Sequence, residues 1–161
     1  MDSLSIHKID TSKVYGYKKG LFDSFGFHTD PIRADRERAL LKASLKQVEK
    51  GKSVAYLLQF SEENLGFLAL SVTSVNDFPS LQIDYLLVSS EYRSQKYQFL
   101  EDNTVSEYLI LLALHVANEI KDKAGMKYLV LYPDKLNEKL IKRYKKIGFT
   151  QLNKEWMFIK L

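Results

Sequence analysis

The chain changes its pattern at Val88, and that change limits what it can fold into. Before it, three apolar, β-prone runs follow one another: Ser53 to Phe60, Leu65 to Val75 and Leu81 to Val88. Only Ser61-Glu-Glu-Asn64 and Asn76-Asp-Phe-Pro-Ser80 separate them. Runs of this length with turns this short pair as antiparallel neighbours. After Val88 comes a polar, basic turn from Ser89 to Tyr97, then a long apolar helix predicted from about Thr104 to Lys123, then a buried strand from Tyr128 to Tyr132. A strand that reaches the next one through a helix must cross over and lie parallel to it. The expected fold class is α/β, as an α+β mixed sheet: an antiparallel meander followed by a strand–helix–strand crossover, flanked by helices.

The rest of the chain fits one domain over residues 1–161. Ser5 to Ile9 reads as a first strand. Val14 to Phe25 reads as a short helix broken by a loop, because Gly16 and Gly20 interrupt its aromatic positions. Ala34 or Asp35 to Lys50 is a helix, with Pro31 before it and Gly51 after it. Trp156 to Leu161 is a last strand. No apolar run is long enough to span a membrane, and Met1-Asp-Ser-Leu-Ser5 lacks the character of a signal peptide. The absence of cysteine excludes disulfides, thiolate zinc sites and a cysteine nucleophile, and favours the cytoplasm. His7, His28 and His115 have no metal-ligand spacing, so no metal site is expected. The net charge of +4 suits an anionic cofactor or a nucleic-acid partner. Lys135, Lys139, Lys142, Arg143, Lys145 and Lys146 cluster around the last helix, either as a solvated face or as a binding patch.

The segment from Arg93 through Ser94, Gln95 and Lys96 to Tyr97 is the first candidate site. Main-chain N–H groups at a helix start are unpaired and the helix dipole favours negative charge there, so a donor-rich turn between a strand and a helix can cradle an anion. Arg93 and Lys96 also read as ordinary loop charges. Val88, Tyr92 and Arg93, then Asn137, Tyr144 seven positions later, and Gly148-Phe149, resemble the motifs of the GNAT superfamily of N-acetyltransferases. The resemblance runs from roughly Ser53 to the C-terminus. Two features depart from it: Ser94 to Gln98 stand where the family has glycines, and Phe99 to Thr104 form an extra stretch before the helix.

The resemblance implies an acyltransferase that moves an acetyl group from acetyl-CoA directly to an amine acceptor, without a covalent intermediate. Leu87 and Val88 would offer main-chain groups to the pantetheine arm and an N–H to the thioester oxygen. The turn from Arg93 to Tyr97 would take the pyrophosphate. Asn137 would bond the cofactor arm, or serve only as a helix N-cap. Tyr144 would be the general acid, since a phenol keeps its proton at neutral pH; it also reads as a packing residue of an amphipathic helix. Gly148 reads equally as a helix C-cap. Asp84, inside an apolar strand, is either a proton acceptor working through water or a buried carboxylate paired with Lys or Arg, and His28 is a second candidate base. The acceptor is not legible. The layout of Val14 to Lys50, with Tyr15, Tyr17, Phe22, Phe25 and Phe27, resembles that of acetyltransferase toxins acting on aminoacyl-tRNA. Aminoacyl-tRNA therefore stands beside small-molecule and protein amines, and a homodimer is compatible. The alternative is a catalytically degenerate module that binds CoA or a partner.

Overall fold

The computed structural model describes residues 3–133, 138–153 and 155–161. The elements follow the chain as β1 (Leu4–Ile9), α1 (Val14–Ser24), α2 (Pro31–Glu49), β2 (Val54–Phe60), β3 (Glu63–Val75) and β4 (Phe78–Val88). After two short 3-10 turns and the strand pair β5 (Lys96–Tyr97) and β6 (Asn103–Thr104) come α3 (Val105–Ala124), β7 (Tyr128–Leu131), α4 (Glu138–Ile147), β8 (Thr150–Gln151) and β9 (Met157–Lys160). The main sheet has the hydrogen-bonded order β1-β2-β3-β4-β7-β9-β8. β1, β2 and β3 pair antiparallel, and β7 joins β4 in parallel. This is the expected mixed sheet, with α3 as the crossover.

The chain divides into two compact units, Met1–Leu70 with Tyr85–Ile110, and Ser71–Asp84 with Leu111–Leu161. The first holds a core of Ile9, Val14, Leu21, Leu41, Leu45 and Val48 packed on Leu57, Phe67 and Leu87. Two helices differ from expectation, α1 in its continuity and α2 in its start. α1 runs unbroken through Gly16 and Gly20, whose missing side chains face open space, because Val14 and Leu21 lie buried on its other side. α2 starts at Pro31 rather than Ala34. The Asp30 carboxylate accepts the Arg33 N–H at 3.2 Å, and a proline in the first turn forfeits no intrahelical bond.

The hairpin turns are also tighter than the sequence suggests. Ser61 and Glu62 have φ of 50° and 70°, and Asn76 and Asp77 have 50° and 65°. Such two-residue left-handed turns match the twist of paired strands. Gly66 on β3 has a packing role. A Cβ there would stand 2.7 Å from Leu109 and 2.9 Å from Val105, so the start of α3 rests directly on the strand backbone.

In the second unit, Leu81 and Ile83 of β4 lie opposite Leu129 and Leu131 of β7, and Met157 and Ile159 of β9 continue that face. Phe78, Tyr128 and Phe158 form an edge-to-face series at 6.3 and 5.3 Å, with the Lys127 ammonium 3.3 Å from the Phe78 centroid. Tyr132 and Trp156 meet edge-to-face at 5.5 Å. α4 is strongly amphipathic: Leu140, Ile141, Tyr144 and Ile147 are half-buried, while Lys139, Lys142, Arg143, Lys145 and Lys146 are exposed. The helix ends as the Gly148 and Phe149 N–H groups return to the Tyr144 carbonyl at 3.2 and 3.0 Å, with Gly148 at φ 128°. Gly148 is thus a C-cap that drives Phe149 into the core.

Candidate functional site

The end of β4 is held by a polar cluster inside the first unit. The Val88 carbonyl accepts the Arg93 Nε–H at 2.9 Å, and Arg93 Nη2 donates to Glu37 Oε1 at 2.8 Å. The same Glu37 oxygen accepts the His28 main-chain N–H at 2.9 Å, while the Tyr85 hydroxyl reaches the Glu37 carbonyl at 3.3 Å. Both partners of the ion pair are largely buried. Burial pushes the Glu37 carboxyl up, but the bonds from Arg93 and His28 and the Arg93 charge outweigh it, so Glu37 lies below its ordinary range. Burial also pushes the Tyr85 phenol well up. A second set of bonds joins the loop before α2 to the residues after β4. Ser90 N–H donates to the Gly26 carbonyl at 2.9 Å, and Gly26 N–H to Ser89 Oγ at 3.2 Å. A Cβ on Gly26 would lie 2.6 Å from Ser89 Oγ.

Arg93, readable as an anion contact or as an ordinary loop charge, turns its guanidinium inward, onto a carboxylate and a carbonyl. No local pattern points to this partner, because Glu37 stands 56 positions earlier.

The turn that follows enters the left-handed region without glycine. Ser94 takes φ 63°. Lys96 pairs with Thr104 and Tyr97 with Asn103, so the extra stretch folds into a small hairpin closed through Glu101 and Asp102, both left-handed. A stack of rings anchors it: Phe99 lies 4.0 Å from Phe60 and 5.1 Å from Tyr97, and Tyr97 lies 5.9 Å from Tyr92. The Tyr92 hydroxyl bonds Glu63, and the Tyr97 hydroxyl donates to Gln95 at 3.0 Å.

The start of α3 is partly closed by its own side chains. Thr104 Oγ1 accepts the Glu107 N–H at 3.2 Å, and the Glu107 carboxylate accepts the Thr104 N–H at 3.3 Å. This reciprocal cap satisfies two helix-start donors and places a negative charge there. The Thr-x-x-Glu spacing made it readable in advance. Lys96 is exposed and lies directly across the strand pair from Thr104. Among the described residues, none accepts a hydrogen bond from the Ser94 or Gln95 main-chain N–H.

Three further candidates lie in or beside the second unit. Tyr144 packs edge-to-face on Phe149 at 5.9 Å, and burial pushes its phenol up to about 12. Asp84 is exposed, not the buried carboxylate that its apolar strand suggested, and it accepts the Ser71 hydroxyl at 2.8 Å. Asn137 lies outside the described residues. His28 accepts the Asp30 N–H through Nδ1 at 3.0 Å, so it serves its own loop. His115 is exposed and meets Glu119 at 2.9 Å. Among the described residues, no group of three or more His, Asp or Glu could hold a metal ion, and no helix is long and apolar enough to cross a membrane.

No protein-family model and no curated protein matches the chain. Solved structures do. An AtaT toxin, as a tyrosine-to-phenylalanine mutant bound to the C-terminus of the antitoxin AtaR and acetyl-CoA, matches with a TM-score of 0.69 and 17% identity over 98% of this chain and 92% of that one. A KacTA–DNA complex matches at 0.67 and 22% identity over 98% and 93%. AtaT complexed with acetyl-methionyl-tRNAfMet matches at 0.64 and 17% over 98% and 95%. At these identities the likeness establishes the fold.

Proposed function

We propose that this chain, which has the GNAT-like fold, is an acetyl-CoA-dependent N-acetyltransferase. One observation carries the reading. A fold that matches a toxin bound to acetyl-CoA along nearly its whole length retains the strand–turn–helix segment that would hold the donor. The residues there suit an anion. Lys96 is the exposed cation, Ser94 and Gln95 offer main-chain N–H groups, and Ser106 adds a hydroxyl beside Thr104 at 3.2 Å. Arg93 is committed elsewhere and supplies no direct contact.

Acetyl-CoA, when bound, supplies an acetyl group activated as a thioester. The chain has three tasks: to orient that group, to hold charge on its oxygen as the amine adds, and to return a proton to sulfur. Leu87 and Val88 would hold the pantetheine arm through main-chain groups, and Asn137 would be a further contact. A main-chain N–H at the strand end stabilises the developing oxyanion. Tyr144 holds the proton at its hydroxyl, and burial keeps it there throughout the working pH range. Asp84, exposed to solvent, takes the acceptor's proton through water.

The proposed acceptor is the amino group of an aminoacyl-tRNA. Its support is the exposed face of α4, where none of five cationic side chains enters an ion pair among the described residues. A toxin of the same fold has been solved with acetyl-methionyl-tRNAfMet. The second reading, a module that binds without catalysis, is favoured by the Glu107 carboxylate at the start of α3. Calorimetry with acetyl-CoA, followed by thiol release with charged tRNA and with a panel of amines, separates these. Binding with tRNA-dependent release supports the full proposal, and binding without release to any acceptor favours the second reading. No binding at millimolar acetyl-CoA removes both.

A further inference from the structure

We infer that Glu37 and Arg93 are a positioning pair that fixes the main chain at the end of β4 for the donor. The inference rests on the reading above and assigns no direct ligand contact to either side chain. Arg93 uses two donors along one edge of its guanidinium at once, Nε on the Val88 carbonyl at 2.9 Å and Nη2 on Glu37 at 2.8 Å. Glu37 uses the same oxygen to hold the His28 N–H at 2.9 Å. Val88, the loop before α2 and α2 itself are thereby tied through one carboxylate. The Ser90–Gly26 and Gly26–Ser89 bonds repeat that connection one residue further along. Three bonds thus converge on Val88, Ser89 and Ser90, the residues that close β4, and a largely buried ion pair anchors one of them through Arg93. A planar fork holds such a geometry and an ammonium cannot.

This role and a direct charge contact predict opposite signs. If Arg93 met the pyrophosphate, removing the Glu37 charge would free it and strengthen binding of an anionic ligand. If the pair positions the strand end, the same change weakens binding. Acetyl-CoA affinity should be measured by calorimetry for the wild type, Glu37→Gln and Arg93→Lys. Exchange of the Ser90 amide should be followed by NMR in the absence of ligand.

The pair predicts that Glu37→Gln weakens acetyl-CoA binding about tenfold, and that Arg93→Lys does so to a similar degree although it keeps the charge. The Ser90 amide should exchange about tenfold faster in both. Unchanged or tighter binding in Glu37→Gln overturns the inference, as does wild-type affinity in Arg93→Lys. If one variant fails to fold, the other decides by the same criteria. If the wild type binds no acetyl-CoA, the acetyltransferase reading falls and the donor role falls with it. Ser90 exchange then still decides whether the pair holds the strand end, and unchanged exchange would remove that too.

Discussion

A phenol and a carboxylate illustrate what burial does to a single side chain. Tyr144 loses water on packing against Phe149, so its proton is held up to about pH 12. Tyr144→Phe keeps the ring and the packing. If the hydroxyl protonates the leaving thiolate, kcat should fall by roughly 10²-fold while acetyl-CoA affinity stays nearly constant, because the loss appears only in the transition state. Steady-state kinetics with a verified acceptor checks this, and an unchanged kcat removes Tyr144 from the mechanism. Glu37 moves the other way, below its ordinary value. The stability it contributes is therefore fully present above the ordinary glutamate pKa of about 4.3 and is lost as pH falls through its lower folded value. The stability gap between wild type and Glu37→Gln should be widest near neutral pH and should close in acid. Denaturant melts at a series of pH values would show it. Single residues were read unevenly from sequence. The Tyr144 and Gly148 spacing was visible because it lies within one helix and its cap. The inward turn of Arg93 was not, because its partner is distant in the chain and nothing local distinguishes a cation facing a ligand from one facing a carboxylate.

Short connecting elements carry most of the departures from expectation. The strands and the crossover were legible because their apolar runs are long and their turns polar. The start of α2 was not, since Asp30 and Pro31 begin it earlier than its apolar spacing suggests. The hairpin turns close on Ser61-Glu62 and Asn76-Asp77 with left-handed backbones that side chains disfavour. Replacing Ser61-Glu62 by Asn-Gly should stabilise the protein by about 1 kcal/mol, a rise in Tm of about 3 °C for a chain of this size by calorimetry. No change would mean that the surrounding strands already absorb the strain. At the start of α3, Glu107→Gln keeps an oxygen that can accept the Thr104 N–H and removes the charge. Acetyl-CoA should then bind up to about fivefold more tightly. Equal affinity would place the pyrophosphate away from this helix start.

At the scale of the whole chain, the fold was legible and the acceptor was not. A mixed sheet follows from where periodicity changes, which local sequence records. Acceptor choice depends on which loops and faces meet a partner, and local sequence does not record that. The Tyr132–Trp156 contact has one more consequence. Trp156 is the single tryptophan of the chain and belongs to the second compact unit. Its fluorescence is therefore a built-in optical reporter for that unit alone, whereas far-ultraviolet dichroism averages over both. Coincident thermal curves from the two signals would show that the units melt as one cooperative body. An emission change that precedes or trails the dichroism would show two melting events, and would tell which unit gives way first without any label.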